Sequence, residues 1–319
     1  MEINQGQKKA IEHYKGPMLV LAGPGSGKTF VITRRTLNLI EHYGVNPGNI
    51  LVITFTKAAA IEMKERFIKL AGGPMPVTFG TFHAIYFNIL RYAYNYNASN
   101  IVREEQRIAN VRETVQKLNM DIEDETEFVN DVLSEIGRVK NEGIDINNYY
   151  SSNCADDTFK KIYNSYENYL ISNNLLDFDD MLVMCYELLK ERKDILAAWQ
   201  NKYKYILIDE FQDINKIQYD VIKMIAAPTD NIFAVGDDDQ SIYGFRGAKP
   251  EIMLNFEKDY DNAKRVLLDT NYRSVETVVE CAKRVIGHNR VRFDKNIIAG
   301  NTNRIPVDIM EFADSKEEN

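Results

Sequence analysis

The chain has 319 residues, of which 45% are hydrophobic and 27% charged, and its formal net charge is −8. This length suggests about two domains, and the acidic balance argues against a protein that grips nucleic acid by bulk positive charge. Three widely spaced cysteines, the absence of a long apolar run and the polar start MEINQGQKKAIEHYKG argue against a disulfide framework, a membrane span and a secretion signal, so we expect a cytoplasmic protein without a membrane partner.

The predicted elements alternate between strands and helices. Short apolar runs rich in β-branched residues predict strands at 17–22, 50–55, 205–209, 231–237 and 265–269. Helical patterns cover 29–43 and 57–70, and this alternation indicates an α/β fold with a parallel sheet covered on both faces. Between about 86 and 199 the sequence is polar and helical, which predicts an insertion. Near the end, SVETVVECAKRVIGHNR predicts a helix and IPVDIMEF the beginning of a strand.

A phosphate-binding loop is predicted between the first strand and the helix that follows it. In LVLAGPGSGKTF, the turn Gly25, Ser26 and Gly27 precedes Lys28 and Thr29. Backbone N–H groups and the helix N-terminus would point at phosphate oxygens, and glycine lets the backbone approach closely. Lys28 would reach the outer phosphates of a nucleoside triphosphate, and the Thr29 hydroxyl would ligate Mg²⁺. The alternative is a chance GKT in a surface turn.

A pair of acids follows the third predicted strand, in YILIDEFQD. Ligands bind at the carboxyl ends of the strands in open parallel sheets. Asp209 would hold Mg²⁺ through water, and Glu210 would orient and deprotonate the attacking water. Together with the phosphate loop, the pair favours hydrolysis of a nucleotide over phosphoryl transfer to a small acceptor.

In their order along the chain, the motifs resemble those of the UvrD/Rep group of superfamily I DNA helicases, from residue 3 to about 300. The segments that carry the resemblance are INQGQKKAI, AGPGSGKT, VITFTKAAAIEM, TFGTFHAIYFNILR, LIDEFQD, GDDDQSIYGFRGA and LDTNYRS. The resemblance implies a RecA-like P-loop NTPase core whose parallel sheet is interrupted by a mostly helical insertion domain. It places a RecA-like ATP-binding domain at 1–85 plus 200–272, the insertion domain at 86–199, and the start of an incomplete second RecA-like domain at 273–319.

The resemblance also implies roles at the nucleotide. Gln7 would recognise adenine, and Tyr272 would stack on it. Gln240 would sense the γ-phosphate, and Arg273 would reach the same group, where an arginine stabilises developing charge. The alternatives from local sequence are that Gln7 is a surface residue before a helix and that Arg273 is a surface residue at the start of a helix.

Five further residues are implied to bind single-stranded DNA. Phe55 and His83 would line the DNA track, and Tyr243 and Phe245 would stack on bases, with Arg246 pairing with a carboxylate or phosphate. Stacking needs little positive charge, which reconciles DNA binding with the net charge of −8. Phe245 stands where relatives usually have tryptophan. The alternative is that Phe55, Tyr243 and Phe245 are core residues.

The function implied by the resemblance is that of an ATP-dependent DNA helicase or translocase with 3′→5′ movement. Its partners would be single-stranded or duplex DNA and proteins of DNA repair or recombination. We expect the chain to be the N-terminal portion of such a helicase, hydrolysing ATP slowly and not unwinding DNA alone. Two alternatives stay open: a subunit of a helicase–nuclease, which the Lys57-Ala58 variant also fits, and a non-motor ATP-binding switch that docks a protein partner.

Overall fold

The structure is a computed structural model that describes residues 3–244, 247–306, 308 and 310–312. In this part of the chain the helices are α1 (Gln5–Glu12), α2 (Lys28–Glu41), α3 (Lys57–Ala71), α4 (Phe82–Tyr94), α5 (Glu104–Lys117), α6 (Glu125–Glu142), α7 (Asp156–Ser172), α8 (Phe178–Glu191), α9 (Lys193–Lys202), α10 (Lys216–Ala226), α11 (Pro250–Leu254), α12 (Phe256–Asp259) and α13 (Glu276–Ile286). The strands are β1 (Met18–Ala22), β2 (Ile50–Thr54), β3 (Thr78–Thr81), β4 (Tyr205–Ile208), β5 (Ile232–Gly236), β6 (Lys264–Leu268), β7 (Thr270–Val275) and β8 (Ile298–Asn301).

A six-stranded sheet in the order β3-β2-β4-β5-β1-β6 organises the larger part of the fold. All of its neighbouring strands pair in parallel, which confirms the predicted α/β class with a parallel sheet. The five strands expected from apolar runs are β1, β2, β4, β5 and β6. The edge strand β3 was not predicted because its sequence, TFGT, is short, contains glycine and is only partly buried.

The residues of each central strand face two different cores. In β1, Leu19 and Leu21 belong to one core, whereas Val20 belongs to the other. Helices α4, α8, α9, α10, α11 and α12 contribute to the first core, and α1, α2 and α3 contribute to the second. Burial on both faces explains why these strands read as continuous apolar runs rather than as alternating patterns.

Helices α5, α6 and α7 enclose a third core, which includes Val111, Val132 and Phe159. The helical content expected between 86 and 199 is present. However, α4, α8 and α9, which lie wholly or largely within that range, pack into the first core of the sheet because their apolar faces are buried there. The chain enters and leaves the third core side by side, where Ile101 and Leu176 form a parallel bridge.

The last described elements form a small β-α-β unit. Strand β7 pairs in parallel with β8, and α13 lies between them in sequence. Strand β7 was not predicted because TNYRSV is polar. The described residues of the expected strand IPVDIMEF (305, 306, 308 and 310–312) are not in a strand, and 307 and 309 lie outside the described residues. Among the helices that the structure describes, none has both the length and the apolar character needed to cross a membrane.

Candidate nucleotide and DNA site

The predicted phosphate loop lies between the carboxyl end of β1 and the first turn of α2. Gly25 and Gly27 have φ values of 65° and 89°, a region that favours glycine. The Ser26 hydroxyl donates a hydrogen bond to the Gly23 carbonyl at 2.7 Å, which closes the turn. A Cβ on Gly25 would lie 2.7 Å from Cβ of Arg273, so only glycine fits there. The loop therefore has the shape and the helix N-terminus that a phosphate group needs.

The two predicted acids follow β4 at the same edge of the sheet. Lys28 Nζ donates to Glu210 Oε2 at 2.6 Å. Asp209 is 6% exposed, and burial, followed by the neighbouring Glu210 charge, raises its pKa to about 7. A buried carboxylate whose ionised form is unfavourable is one that a cation would stabilise. Carboxylate and hydroxyl oxygens are also the ligands that Mg²⁺ prefers, so Asp209 and the half-buried Thr29 fit the expected metal chemistry.

A hydrogen-bonded path joins this acid pair to the predicted γ-phosphate sensor. Gln212 Nε2 donates to Glu210 Oε2 at 3.0 Å, and Gln212 Oε1 accepts from the Asp237 N–H at 3.0 Å. Gln240 Nε2 then donates to Asp237 Oδ2 at 2.7 Å. The sequence placed Gln212 within a motif but gave it no role, and Asp237 was missed. Because Lys28 is bonded to Glu210, the path runs without interruption from the phosphate loop to Gln240.

The predicted adenine-recognising residues lie beside the same loop. Gln7 is 2% exposed, and its Nε2 donates to the Ser26 carbonyl at 3.1 Å. Its Oε1 accepts from the Asn4 N–H at 3.2 Å. The Asn4 side chain donates to the Tyr272 hydroxyl at 2.9 Å, and the Tyr272 N–H donates to the Gly25 carbonyl at 3.0 Å. Gln7 and Tyr272 therefore both donate hydrogen bonds to backbone carbonyls of the phosphate loop. Their recognition of adenine stays a prediction.

Helix α1, which carries Gln7, is fixed to α2 at its other end. Arg35, Asn38 and Tyr43 donate hydrogen bonds to the last three carbonyls of α1 at 3.4, 3.1 and 2.7 Å. The Arg35 guanidinium also lies 4.4 Å from the centroid of the Phe233 ring. Burial lowers the pKa of Arg35 to about 9, so it is still a cation at neutral pH. A cation at a helix C-terminus stabilises that end.

Arg273 lies on β7, against the phosphate loop. Its side chain is exposed, and its N–H donates to Asn271 Oδ1 at 2.8 Å. The same oxygen accepts from the N–H of Ser274 at 2.8 Å. The Tyr272 N–H, which donates to the Gly25 carbonyl, and the close approach of the Arg273 Cβ to Gly25 place this part of β7 beside the phosphate loop. A contact between Arg273 and a γ-phosphate stays a prediction.

The predicted DNA-stacking residues Phe55 and Tyr243 meet at the edge of the sheet. Phe55 follows β2, and its ring centroid lies 5.2 Å from that of Tyr243, with the ring planes tilted by 32°. Neither residue is fully buried, so neither is a core residue of this fold. Phe245 and Arg246 lie outside the described residues. The described pair offers a partly exposed aromatic surface three residues from Gln240.

His83 lies at the same edge, because β2 and β3 are parallel neighbours in which Thr54 is paired with Thr81. Its ring centroid lies 5.3 Å from that of Phe178. Burial lowers the pKa of His83, so its imidazole is neutral at physiological pH and suited to packing against a flat base rather than to pairing with a phosphate. Phe178 is half exposed and was not singled out by the sequence, although it lies in the segment LLDFDDML, which also resembles the family.

A phosphate loop followed by an acid pair, both at the carboxyl edge of one parallel sheet, defines a P-loop nucleotide-binding domain. Residues 3–261 match the model of the UvrD/REP helicase N-terminal domain. The chain belongs to this family.

Several curated proteins are similar to the chain over almost all of its length. A protein of Bacillus subtilis named "Putative ATP-dependent DNA helicase YjcD" is 39% identical over 99% of the chain and 42% of its own length. The "Probable DNA helicase II homolog" of Mycoplasma capricolum is 35% identical over 94% and 43%, respectively. The "ATP-dependent DNA helicase PcrA" of Staphylococcus aureus is 36% identical over 99% and 44%. The chain thus spans about two-fifths of the length of these relatives.

Proposed function

We propose that the chain is the ATP-binding part of an ATP-dependent DNA helicase and couples the hydrolysis of ATP to movement on single-stranded DNA. The observation that carries the proposal is the hydrogen-bonded path from Lys28 through Glu210, Gln212 and Asp237 to Gln240. Tyr243, which packs on Phe55, follows three residues later. A change at the phosphate end of this path would therefore shift the aromatic surface at the other end.

The nucleotide would bind with its phosphates on the loop formed by Gly25, Ser26 and Gly27. Mg²⁺, held by Thr29 and Asp209, would supply charge neutralisation at the phosphate oxygens. When the nucleotide binds, the Lys28 ammonium group would give up its hydrogen bond to Glu210 and donate to a phosphate oxygen instead. Both are charge-assisted hydrogen bonds, so one can replace the other.

Release from Lys28 would leave Glu210 able to orient a water and take its proton. Gln240 and Arg273 would donate to the γ-phosphate. At the other end of the nucleotide, Gln7 and Tyr272 would contact adenine.

Single-stranded DNA would lie across the edge formed by Phe55, His83 and Tyr243. Phe245 and Arg246 lie outside the described residues, and their contact with DNA stays a prediction. Each base stacked on an aromatic ring contributes about 1–3 kcal/mol regardless of its sequence. Binding by stacking is compatible with the formal charge of −8.

The remaining features of the proposal concern the whole protein. We place a RecA-like domain at 1–85 plus 200–272, a helical insertion at 86–199 and the start of a second RecA-like domain at 273–319. Proteins of DNA repair or recombination in the cytoplasm are the partners expected of such a helicase, and 3′→5′ is the expected direction.

The test is the affinity of the chain for a fluorescent oligothymidine, measured by anisotropy with and without a non-hydrolysable ATP analogue and Mg²⁺. We expect the analogue to change the dissociation constant by about fivefold or more, the lower end of common coupling between two sites. Lys28→Ala should abolish the change, whereas Lys117→Ala, at an exposed lysine of α5, should preserve it. A chain that binds the analogue but shows no such change would instead support the non-motor switch.

A further inference from the structure

Residues 292–297, called the bridging segment here, connect α13 to β8 and lie across the acidic turn at 237–239. Arg292 donates two hydrogen bonds to the Asp239 carboxylate, at 2.7 and 2.6 Å. Lys295 Nζ lies 2.6 Å from Asp237 Oδ1 and 2.9 Å from Asp239 Oδ2, and it also pairs with Asp238. The segment therefore provides two cations to three consecutive carboxylates.

The other end of the bridging segment lies on the phosphate loop. A Cβ on Gly23 would be 2.9 Å from Cδ1 of Ile297. The next residue, Ile298, pairs with Thr270 at the start of β7, the strand that carries Arg273. One short segment thus contacts the turn that precedes Gln240 and the loop expected to hold phosphate.

Lys295 is placed to orient Gln240 through a shared carboxylate. Asp237 Oδ1 is bonded to Lys295, and Asp237 Oδ2 accepts the hydrogen bond from Gln240 Nε2. The Lys295 side chain is 1% exposed, so solvent screens these ion pairs little. If Lys295 lost its charge, the three adjacent carboxylates would keep from this segment the Arg292 guanidinium and the Phe293 N–H, which donates to Asp238 Oδ2 at 2.8 Å. Neither of these groups contacts Asp237 directly, so the repulsion among the carboxylates would displace Asp237.

We propose that Lys295 is a positioning residue. It fixes the Asp237 carboxylate, and through this carboxylate it fixes the Gln240 side chain. A movement of the bridging segment would therefore displace Gln240 as well. Arg292 supports it through two hydrogen bonds to Asp239, the carboxylate that Lys295 also contacts. This inference rests on the proposed coupling of nucleotide to DNA. Lys295 itself contacts neither substrate, because its ammonium group is occupied by the three carboxylates.

The experiment compares Lys295→Met with the wild-type chain in two measurements: affinity for the fluorescent ATP analogue alone, and the ratio of oligothymidine dissociation constants without and with unlabelled analogue. We expect analogue affinity within about threefold of wild type and a ratio reduced to about one, a loss of the roughly fivefold coupling expected for two linked sites. Lys295→Arg, which keeps the charge, should retain at least part of the ratio. Arg304→Met removes an exposed pair with Glu276 from the same β-α-β unit and should leave both measurements within about twofold.

The possible failures can be told apart. A wild-type ratio of one overturns the proposed coupling itself, and with it this inference. A normal wild-type ratio that persists in folded Lys295→Met overturns the role of Lys295 alone. If Lys295→Met does not fold, Arg292→Met decides: a reduced ratio with near-normal analogue affinity supports the positioning role, and an unchanged ratio refutes it.

Discussion

Replacing Asp209 by asparagine should stabilise the protein at alkaline pH. In the folded chain, burial and the Glu210 charge hold the pKa of Asp209 at about 7, against an ordinary value of 3.8. Below pH 3.8 both folded and unfolded forms carry the proton, so this group has no effect. As pH rises to 7 the unfolded chain gives up its proton first, and stability falls until both forms are ionised. The loss amounts to at most about 4 kcal/mol.

The amide introduced by Asp209→Asn would keep an oxygen to accept from the Glu210 N–H, as Asp209 Oδ1 does at 3.1 Å. Urea unfolding should therefore show Asp209→Asn more stable than wild type by up to about 4 kcal/mol at pH 8 and by less than about 2 kcal/mol at pH 5. Asp261→Asn, at an exposed turn, is the control and should change stability by less than about 0.5 kcal/mol at either pH. Equal differences at the two pH values, or a less stable Asp209→Asn at pH 8, would refute the reasoning.

Three other substitutions test the nucleotide and DNA edges. Lys28→Ala should weaken binding of a fluorescent ATP analogue by about 10–100-fold in a titration, the size of a lost hydrogen bond to a charged group; unchanged affinity would remove Lys28 from the phosphate site. Gly25→Ala should lower the free energy of unfolding by at least about 1 kcal/mol because Gly25 has a positive φ. Gly73→Ala is the control and should leave the free energy of unfolding unchanged, because a Cβ there meets nothing within 4 Å. Equal melting temperatures for the two variants would contradict this prediction. Tyr243→Ala should reduce oligothymidine affinity by about 1–3 kcal/mol, whereas Tyr150→Ala, at an 81% exposed ring, should have no effect; the opposite order in anisotropy would exclude the stacking role.

The sequence was sufficient for the central strands because burial on both faces leaves a continuous apolar run, as in Ile50–Thr54. It failed at Thr78–Thr81 and Thr270–Val275, which are held by pairing with a neighbour rather than by apolar content of their own. The range predicted for the insertion, 86–199, has the expected helices, but not all of them pack in the third core. Helices α4 and α8 lie wholly or largely within that range, yet they are more apolar than α5, α6 and α7, and their apolar faces belong to the core of the sheet.

In the site, local motifs located the glycine-rich turn and the acid pair because each of them directly follows a continuous apolar strand, β1 and β4 respectively. The role of Lys295 could not be predicted in this way. The three carboxylates that Lys295 contacts lie more than fifty residues earlier in the chain. Neither the sequence around Lys295 nor the acidic turn has a local pattern that predicts this pairing. Gln212 was noticed within its motif, but its position between Glu210 and Asp237 depends on how β4 and β5 lie side by side.

The attachment of α1 at both of its ends has a mechanical consequence. Gln7 is bonded to the Ser26 carbonyl of the phosphate loop, and the last three carbonyls of α1 accept from Arg35 and Asn38 of α2 and from Tyr43, which follows α2. The residue expected to contact adenine and the turn expected to hold the phosphates are therefore joined by hydrogen bonds. A displacement of the turn would be transmitted to α1, so the distance between these two parts of the nucleotide site is set by the helix.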